Sequence, residues 1–178
     1  MGQGNNKDLE TLPAGRLGLI SLESCAELGA AVDQWLVKWR KERQHEHKSS
    51  IAFEGYERDS YLIQTSVPRF GSGEAKATIK ESVRGDDIYI MVDVRNYSLT
   101  YRIGPYTNLM SPDDHFQVLK RVIAAICGKA SRLIVIMPYL YESRQLKRTS
   151  RDSLDGATAL WELVRMGVEI NISLDAQD

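Results

Sequence analysis

The run of apolar residues from Leu133 to Met137 constrains the fold more than any other part of the sequence. It reads Leu-Ile-Val-Ile-Met and is rich in β-branched side chains, which is typical of a strand buried on both faces of a parallel sheet. Pro138 follows and ends the strand. A parallel strand covered on both faces needs helices on either side, so this run predicts an α/β fold.

The segment after this strand is strongly basic. It carries four basic residues and one acidic residue, which are Arg144, Lys147, Arg148 and Arg151 against Glu142. Four positive charges minus one negative charge give a local charge of about +3, in a chain whose formal net charge is −1. Ligands of open α/β sheets bind beyond the carboxyl ends of the strands. The segment is therefore predicted to be an anion site, and the competing interpretation is a solvated loop.

The spacing of apolar residues predicts three helices, each with one buried stripe. The first helix runs from Glu23 to about Arg43, and its stripe is Cys25, Leu28, Val32, Trp35, Leu36 and Trp39. The second begins at Ser111-Pro112-Asp113-Asp114 and ends at Gly128, with Phe116, Leu119, Val122, Ile123, Ile126 and Cys127 as its stripe. Asp152-Ser153 is predicted to cap the third, whose apolar positions are Leu154, Ala157, Leu160, Trp161 and Val164.

Five strands are predicted beside these helices: Leu17–Leu22, Tyr61–Val67, Ile88–Val92, Leu133–Met137 and Val168–Leu174. Between the second and third, residues 69–85 indicate a hairpin, because Gly71 and Gly73 allow a tight turn. Residues 95–108 are predicted to form a surface hairpin, and the sequence assigns no role to the stretch 95–110. His115 is predicted to be a capping or solvated residue, and His45 and His47 to lie at a solvated helix end.

Composition fits one globular unit. With 178 residues, 43% of them hydrophobic, the chain is predicted to form a flexible lead-in at 1–15 and a single α/β domain at 16–178. The 23 basic and 24 acidic residues create no overall field that would attract nucleic acid or a membrane. Two cysteines are too few for a disulfide framework, and no apolar run is long enough to span a membrane, so a cytoplasmic location is expected.

Three segments together resemble ribose-phosphate pyrophosphokinase, also called phosphoribosyl-pyrophosphate synthetase. They are PYLYESRQLKR at Pro138 to Arg148, RFGSGEAKATIKESVRGDDIYIM at Arg69 to Met91, and GVEINISLDAQD at Gly167 to Asp178. The resemblance implies a three-layer α/β sandwich with a mostly parallel five-stranded sheet, phosphoribosyltransferase-like, and a protruding β-hairpin. It also implies the N-terminal portion of an enzyme that transfers diphosphate from ATP to ribose 5-phosphate, with Mg²⁺ and ATP as cofactors.

The same resemblance implies the site residues. The hairpin tip, with Phe70, Ser72 and Glu74, would reach the nucleotide of a neighbouring subunit, so a homo-oligomer is expected; Ser72 replaces an aspartate of the family. The remaining implied residues are Arg144 and Gln145 for nucleotide, Lys147 and Arg148 for phosphate, and Asp175 for metal. Gln177 stands where the family has a catalytic histidine, so no catalytic residue is assigned.

Three functions remain open on the sequence. The chain is predicted to be the ATP-side and subunit-contact portion of a ribose-phosphate pyrophosphokinase, inactive alone because these 178 residues lack the ribose-phosphate loop. A non-catalytic paralogue that binds nucleotide or regulates synthetase subunits is the main alternative. A phosphate-rich macromolecule bound by the basic segment is the third, although the overall charge gives it little support.

Overall fold

The computed structural model describes residues 15–45, 58–144, 148 and 150–174. Its strands and helices follow one another along the chain as β1 (Leu17–Ser21), α1 (Ala26–His45), β2 (Thr65–Ser66), β3 (Thr78–Ile79), β4 (Asp87–Met91), β5 (Thr100–Ile103), β6 (Tyr106–Leu109), α2 (Pro112–Ile126), β7 (Arg132–Ile136), α3 (Asp155–Arg165) and β8 (Ile170–Ile172). A short 3-10 helix, Glu23–Cys25, leads into α1.

The main sheet is parallel. Its four strands lie in the order β1-β4-β7-β8, and the predicted central strand pairs on both sides. The second predicted strand, Tyr61–Val67, is present in this sheet only as a short segment beside β1, joined by a parallel bridge between Leu19 and Leu62. Leu19 donates to the Tyr61 carbonyl at 2.8 Å, and Ile63 donates to the Leu19 carbonyl at 2.8 Å. The predicted mostly parallel α/β fold is thus confirmed.

The helices cover both faces of this sheet. Alternate residues of β4 point to opposite sides: Ile88 and Ile90 join the cluster formed with α2 and α3, whereas Met91 joins the cluster on the α1 side. From β1 the chain passes through α1 to the segment that contains Leu62, at one edge of the sheet. It later passes through α2 and α3 to β7 and β8, towards the other edge. Right-handed crossovers in opposite directions place the helices on opposite faces, which produces the three layers.

Helix α2 forms as predicted. The Ser111 side chain accepts from the Asp114 backbone and the Asp114 carboxylate accepts from the Ser111 backbone, so the helix begins with a capping box. All of the predicted stripe is buried except Cys127, which is exposed and left-handed at φ 55°. The prediction that His115 is a capping or solvated residue is wrong. It is only 2% exposed, and its ring contacts the Asn96 carbonyl.

Helix α1 contradicts part of its predicted stripe. Cys25 is buried, and burial followed by the nearby Asp93 carboxylate raises the pKa of its thiol to about 12. Leu28, Trp35 and Trp39 are instead 47%, 50% and 55% exposed. The helix approaches β1 through Gly29, where a Cβ atom would lie 2.1 Å from the Ser21 hydroxyl oxygen. This close approach selects a small residue for the contact and leaves the large side chains on its flank.

The buried face of α3 was predicted wrongly in the same way. Its buried residues are Gly156, Ala159 and Leu163, whereas Trp161 is 66% exposed and Val164 is 51% exposed. The predicted cap is also wrong, since the N-cap residue is Leu154 and no side chain caps it. Asp152 accepts from Ser150 and the Ser153 hydroxyl bonds to Asp155.

Two hairpins project from this core. In the first hairpin (residues 65–79) β2 pairs antiparallel with β3 and Arg69 bridges to Ala75, which confirms the predicted hairpin. The second hairpin (residues 100–109) is the predicted surface hairpin, with β5 antiparallel to β6. Within the described ranges, no helix is long and apolar enough to cross a membrane.

Candidate functional site

The carboxyl ends of β1, β4 and β7 lie along one edge of the parallel sheet, followed by residues 22–24, 93–96 and 138–144. This edge is where open α/β sheets bind their ligands. The first turn of α2 contributes two adjacent carboxylates, Asp113 and Asp114, to interactions with other segments. These carboxylates connect the two parts of the predicted site.

Asp114 holds the first hairpin. Its Oδ1 atom accepts a hydrogen bond from Arg69 Nη2 at 3.0 Å, while its Oδ2 atom completes the capping box with Ser111. The Arg69 and Asp114 side chains are only 13% and 20% exposed. Burial opposes ionisation of Asp114, but hydrogen bonds from Ser111 and the Arg69 guanidinium outweigh it and lower the pKa of the carboxyl. The hairpin is therefore attached through a shielded, ionised pair.

The Arg69 guanidinium has two further contacts. It donates to the Gly73 carbonyl at 2.9 Å, and its central carbon lies 3.7 Å from the centroid of the Tyr101 ring. Gly73 has φ +91°, and a Cβ atom there would lie 2.8 Å from Ile103 Cδ1. One side chain thus links the turn of the first hairpin to the second hairpin and to α2.

The tip of the first hairpin presents the residues predicted to bind nucleotide. Phe70 is 54% exposed, and its backbone N–H donates to the Glu74 carbonyl at 2.7 Å. The Ser72 hydroxyl donates to Glu74 Oε2 at 2.9 Å. The tip therefore exposes the Phe70 ring beside the Glu74 carboxylate, one oxygen of which already accepts a hydrogen bond from Ser72.

Asp113 holds the segment after β7. Its Oδ1 atom accepts from the Tyr141 hydroxyl at 2.6 Å, and the Tyr141 ring stacks on Phe116 with a centroid distance of 4.3 Å and an interplanar angle of 3°. The Tyr141 backbone N–H also donates to Met137 Sδ at 3.2 Å. Burial, followed by the hydrogen bond to Asp113, raises the pKa of the Tyr141 phenol. This anchor consists of a neutral phenol and an aromatic stack.

The backbone after Tyr141 turns sharply. Glu142 is a non-glycine residue with φ 55°, and its carbonyl oxygen would lie 2.9 Å from a Cβ atom at Gly156. The start of α3 therefore packs directly on this turn. Nearby, the Arg95 guanidinium carbon lies 4.6 Å from the centroid of the Tyr139 ring.

Arg144 follows this anchored turn. Its side chain is exposed and forms no ion pair with any residue that the structure describes, and Arg148 is exposed as well. A guanidinium without an internal partner keeps its planar set of donors available for an external anion. The predicted residues Gln145 and Lys147 lie outside the described ranges, as do Asp175 and Gln177.

Among the described residues, no hydrogen bond or ion pair joins the hairpin tip to Arg144. The described contacts connect them through α2: Asp114 bonds to Arg69 of the first hairpin, and Asp113 bonds to Tyr141 in the turn before Arg144. Sequence reasoning treated these two carboxylates as helix-start residues and did not assign roles to Arg69 or Tyr141. One feature of the sequence could have revealed these roles. Two carboxylates, Asp113 and Asp114, stand in the first turn of α2, whereas a capping box uses only one.

The part of the chain that the structure describes contains no group of three or more His, Cys, Asp or Glu side chains suited to a metal ion. The proposed metal residue, Asp175, is outside that part, so its role stays a prediction.

Comparison with known proteins assigns a family. The family model for the N-terminal domain of ribose phosphate pyrophosphokinase matches residues 17–167. Ribose-phosphate pyrophosphokinase 1 of Schizosaccharomyces pombe is 32% identical over 111 residues, which is 62% of this chain and 24% of that protein. Putative ribose-phosphate pyrophosphokinase 2 of Streptococcus agalactiae is 29% identical over 115 residues, which is 64% of this chain and 32% of that protein.

The fold is also similar to a solved structure. The phosphoribosylpyrophosphate synthetase of Mycobacterium smegmatis superposes with a TM-score of 0.63 and 19% identity, covering 91% of this chain and 43% of that one. At this identity the likeness concerns the fold. The chain thus spans less than half of the structure and about a quarter to a third of the relatives it matches. The family match covers most of the chain, and the chain therefore belongs to the ribose-phosphate pyrophosphokinase family, whose N-terminal domain it resembles.

Proposed function

We propose that this chain provides the ATP-side and subunit-contact portion of a ribose-phosphate pyrophosphokinase. One observation carries the proposal: the exposed guanidinium of Arg144 forms no ion pair with any described residue. It follows an anchored turn at the carboxyl edge of the sheet. Transfer of a diphosphoryl group depends mainly on positioning the phosphates and on neutralising their charge. A rigidly based Arg144 would do both.

Each named residue has a distinct chemical task in this proposal. Arg144 offers two parallel N–H donors to phosphate oxygens, and the exposed Arg148 adds positive charge. Phe70 provides a flat apolar face for a base, and Glu74 provides an acceptor. Magnesium bound together with the nucleotide would neutralise the phosphate oxygens.

Assembly is part of the same proposal. Phe70 is an exposed aromatic residue on a projecting tip, which favours a contact with another copy of the chain. We expect a homodimer or larger assembly by light scattering, and a Phe70→Ser variant that dissociates more readily. A monomer at tens of micromolar and above, roughly the range of weak interfaces, would contradict this expectation.

The central test is a calorimetric titration of the full chain with Mg-ATP. A hydrogen bond to a charged group contributes about 1.5–3 kcal/mol, so Arg144→Ala should weaken ATP binding roughly tenfold to a hundredfold. Arg165→Ala is the matched control, since α3 begins against the Glu142 turn and ends at Arg165, about 15 Å further along the helix. Equal ATP affinity in wild type and Arg144→Ala would remove the anion-site proposal.

Turnover is a separate question. The 178 residues contain no counterpart of the family's ribose-phosphate loop, and we expect them to form no phosphoribosyl pyrophosphate from Mg-ATP and ribose 5-phosphate. Product that persists after repurification, and that Arg144→Ala removes, would contradict this expectation.

The alternative, a non-catalytic paralogue that binds nucleotide or regulates synthetase subunits, has one specific observation in its favour. Ser72 occupies the position of the family's aspartate, and its hydroxyl donates to Glu74 Oε2 at 2.9 Å. This bond engages the carboxylate that would otherwise meet a ligand. Restoring the acidic residue by Ser72→Asp should strengthen ATP binding relative to triphosphate alone if the tip recognises adenine. Equal effects on both ligands would mean that the tip does not recognise adenine, which favours the regulatory form of the alternative.

A further inference from the structure

A cavity of about 530 Å³ opens beyond the carboxyl end of β1. It is bounded by residues 22–24 after β1, residues 65–69 of the first hairpin, residues 99–102 of the second hairpin, and one side of α2. Counting the segment that contains Leu62, the chain order of the parallel strands across the sheet is 2-1-3-4-5. The order reverses between β1 and β4, and ligands of such sheets bind at this reversal. The volume of the cavity is in the usual range for a small-molecule site.

The charges around the cavity do not favour an anion. Arg69 lines it, but its guanidinium is already paired with Asp114 and stacked on Tyr101. The other charged lining residues are Glu23 and Arg102, which are both exposed and opposite in sign. Apolar side chains provide much of the remaining wall, namely Leu22, Val67, Leu99, Met110 and Val118. This balance suits an uncharged ligand with an apolar body.

Two buried polar side chains in the lining define a hydrogen-bonding pattern. His115 Nε2 lies 2.8 Å from the Asn96 carbonyl oxygen, and a carbonyl only accepts, so Nε2 carries the proton. In the neutral ring Nδ1 is then an acceptor, and no described residue donates to it. The Ser24 hydroxyl accepts from the Asp93 N–H at 3.1 Å, which leaves its own proton to donate; no described residue accepts it.

The positions of these groups are fixed. The Asn96 side chain donates to the Ser24 carbonyl at 3.1 Å and accepts from the Ser98 backbone at 2.9 Å. His115 and Ser24 are 2% and 8% exposed. An acceptor and a donor on two side chains that line the cavity complement a ligand that carries an N–H beside a carbonyl, as a cyclic amide does.

We propose that this cavity is a second small-molecule site, which binds an uncharged nucleobase-type ligand through its cyclic amide edge. The amide N–H donates to His115 Nδ1, the adjacent carbonyl accepts from Ser24, and the ring packs against the apolar wall. The site uses none of the residues proposed for the ATP phosphates. The second hairpin supplies one wall, so binding here also depends on the contact of Arg69 with Tyr101.

The test titrates the full chain with uridine, inosine, uracil and hypoxanthine by calorimetry, which distinguishes nucleosides from free bases. The matched ligand is 3-methyluridine, in which a methyl group replaces the amide proton. Saturable millimolar or tighter binding is expected for at least one of the four. Since a buried acceptor would stay unsatisfied, 3-methyluridine should bind about tenfold more weakly than uridine.

Variants separate the cavity from general stability. Thr100→Trp fills the cavity from an exposed strand position and should abolish binding without lowering the melting temperature. His115→Gln keeps a donor for the Asn96 carbonyl but removes the ring acceptor, and should weaken uridine about tenfold. His115→Asn keeps an acceptor near Nδ1 and should retain more affinity. If either His115 variant does not fold, Thr100→Trp still decides.

Several outcomes overturn the proposal: no saturable binding of the four probes at millimolar concentration, equal binding of uridine and 3-methyluridine, or unchanged binding in Thr100→Trp. The ATP titration is independent. Uridine binding that survives in Arg144→Ala, with ATP binding that survives in Thr100→Trp, supports two sites. Loss of ATP binding in Thr100→Trp would assign the cavity to the nucleotide and would also overturn the proposal.

Discussion

The first hairpin and the turn after β7 are attached to the same place by different chemistry. Asp114 holds the hairpin through the guanidinium of Arg69, and Asp113, the preceding residue, holds the turn through the phenol of Tyr141. The first anchor is an ion pair with both side chains mostly shielded, at 13% and 20% exposure. The second is a neutral hydroxyl bond attached to an aromatic stack on Phe116.

This difference predicts opposite responses to pH. The hairpin anchor requires an ionised Asp114, whose pKa is lowered, and so it weakens in acid. The turn anchor requires a protonated Tyr141, whose pKa is raised, and so it weakens in alkali. Two adjacent carboxylates of one helix thus hold two parts of the candidate site whose attachment fails under different conditions.

The largest expected effect is that of Tyr141→Ala. Removal of the ring eliminates both the stack on Phe116 and the bond to Asp113, and aromatic-to-alanine changes of packed residues cost about 3 kcal/mol. The matched control is Tyr139→Ala, because Tyr139 is 43% exposed and contacts the Arg95 guanidinium. We expect the control to lose less than about 1 kcal/mol in urea unfolding. Similar losses for both variants would show that the stack does not stabilise the turn.

Arg69→Ala should have the next largest effect. It removes the ion pair, the bond to Gly73 and the contact with Tyr101, and we expect a loss of about 2 kcal/mol. Arg69→Lys keeps the charge but not the planar fork, so it should recover only part of this loss. A double-mutant cycle with Asp114→Asn should give a coupling energy of about 1 kcal/mol. Coupling near zero would mean that the hairpin does not depend on this pair.

The sequence predicted the sheet and α2 well for a physical reason. The run Leu133–Met137, which overlaps most of β7, contains only large apolar residues. Such a run favours a strand buried on both faces, whatever the distant parts of the chain are. Helix α2 has a local cap and a stripe of large apolar residues, so its start and its buried face are both encoded nearby. The first hairpin was likewise predictable from its turn, because Gly71 and Gly73 stand there.

The faces of α1 and α3 were predicted wrongly because these helices make close contacts through small residues. A Cβ atom at Gly29 would collide with Ser21 of β1, and a Cβ atom at Gly156 would collide with the Glu142 carbonyl of the turn after β7. A search for large apolar side chains therefore selects Trp35 and Trp161, which lie on the exposed flanks. The role of His115 was also hidden, since its partner is the Asn96 carbonyl, 19 residues away in the sequence.

Tyr141→Phe isolates the hydroxyl of the turn anchor. The ring stack remains and the bond to Asp113 is lost, so we expect a loss of about 1 kcal/mol at neutral pH. Because the folded-state pKa of the phenol is raised, its contribution is complete below the unfolded value of about 10 and is lost as the pH rises through the folded value. Wild type and variant should therefore converge in stability at alkaline pH. A constant difference up to the pH at which the protein unfolds would contradict this account.

The smallest expected effect is the change that Asp114→Asn makes in the pH dependence of stability. The folded-state pKa of Asp114 is lowered, so its contribution to stability is complete above the unfolded value of about 4 and is lost as the pH falls through the folded value. We expect wild type to lose stability more steeply than Asp114→Asn in this acidic window, by less than about 1 kcal/mol, because the side chain is partly exposed. Urea unfolding at several acidic pH values measures the difference. Tyr139→Ala is the control, since Tyr139 contacts the Arg95 guanidinium and its removal should leave the acidic slope of wild type unchanged. If Asp114→Asn and wild type had the same acidic slope, the hairpin would be held by the Arg69 contacts with Gly73 and Tyr101, and the contrast between the two anchors would reduce to the alkaline side alone.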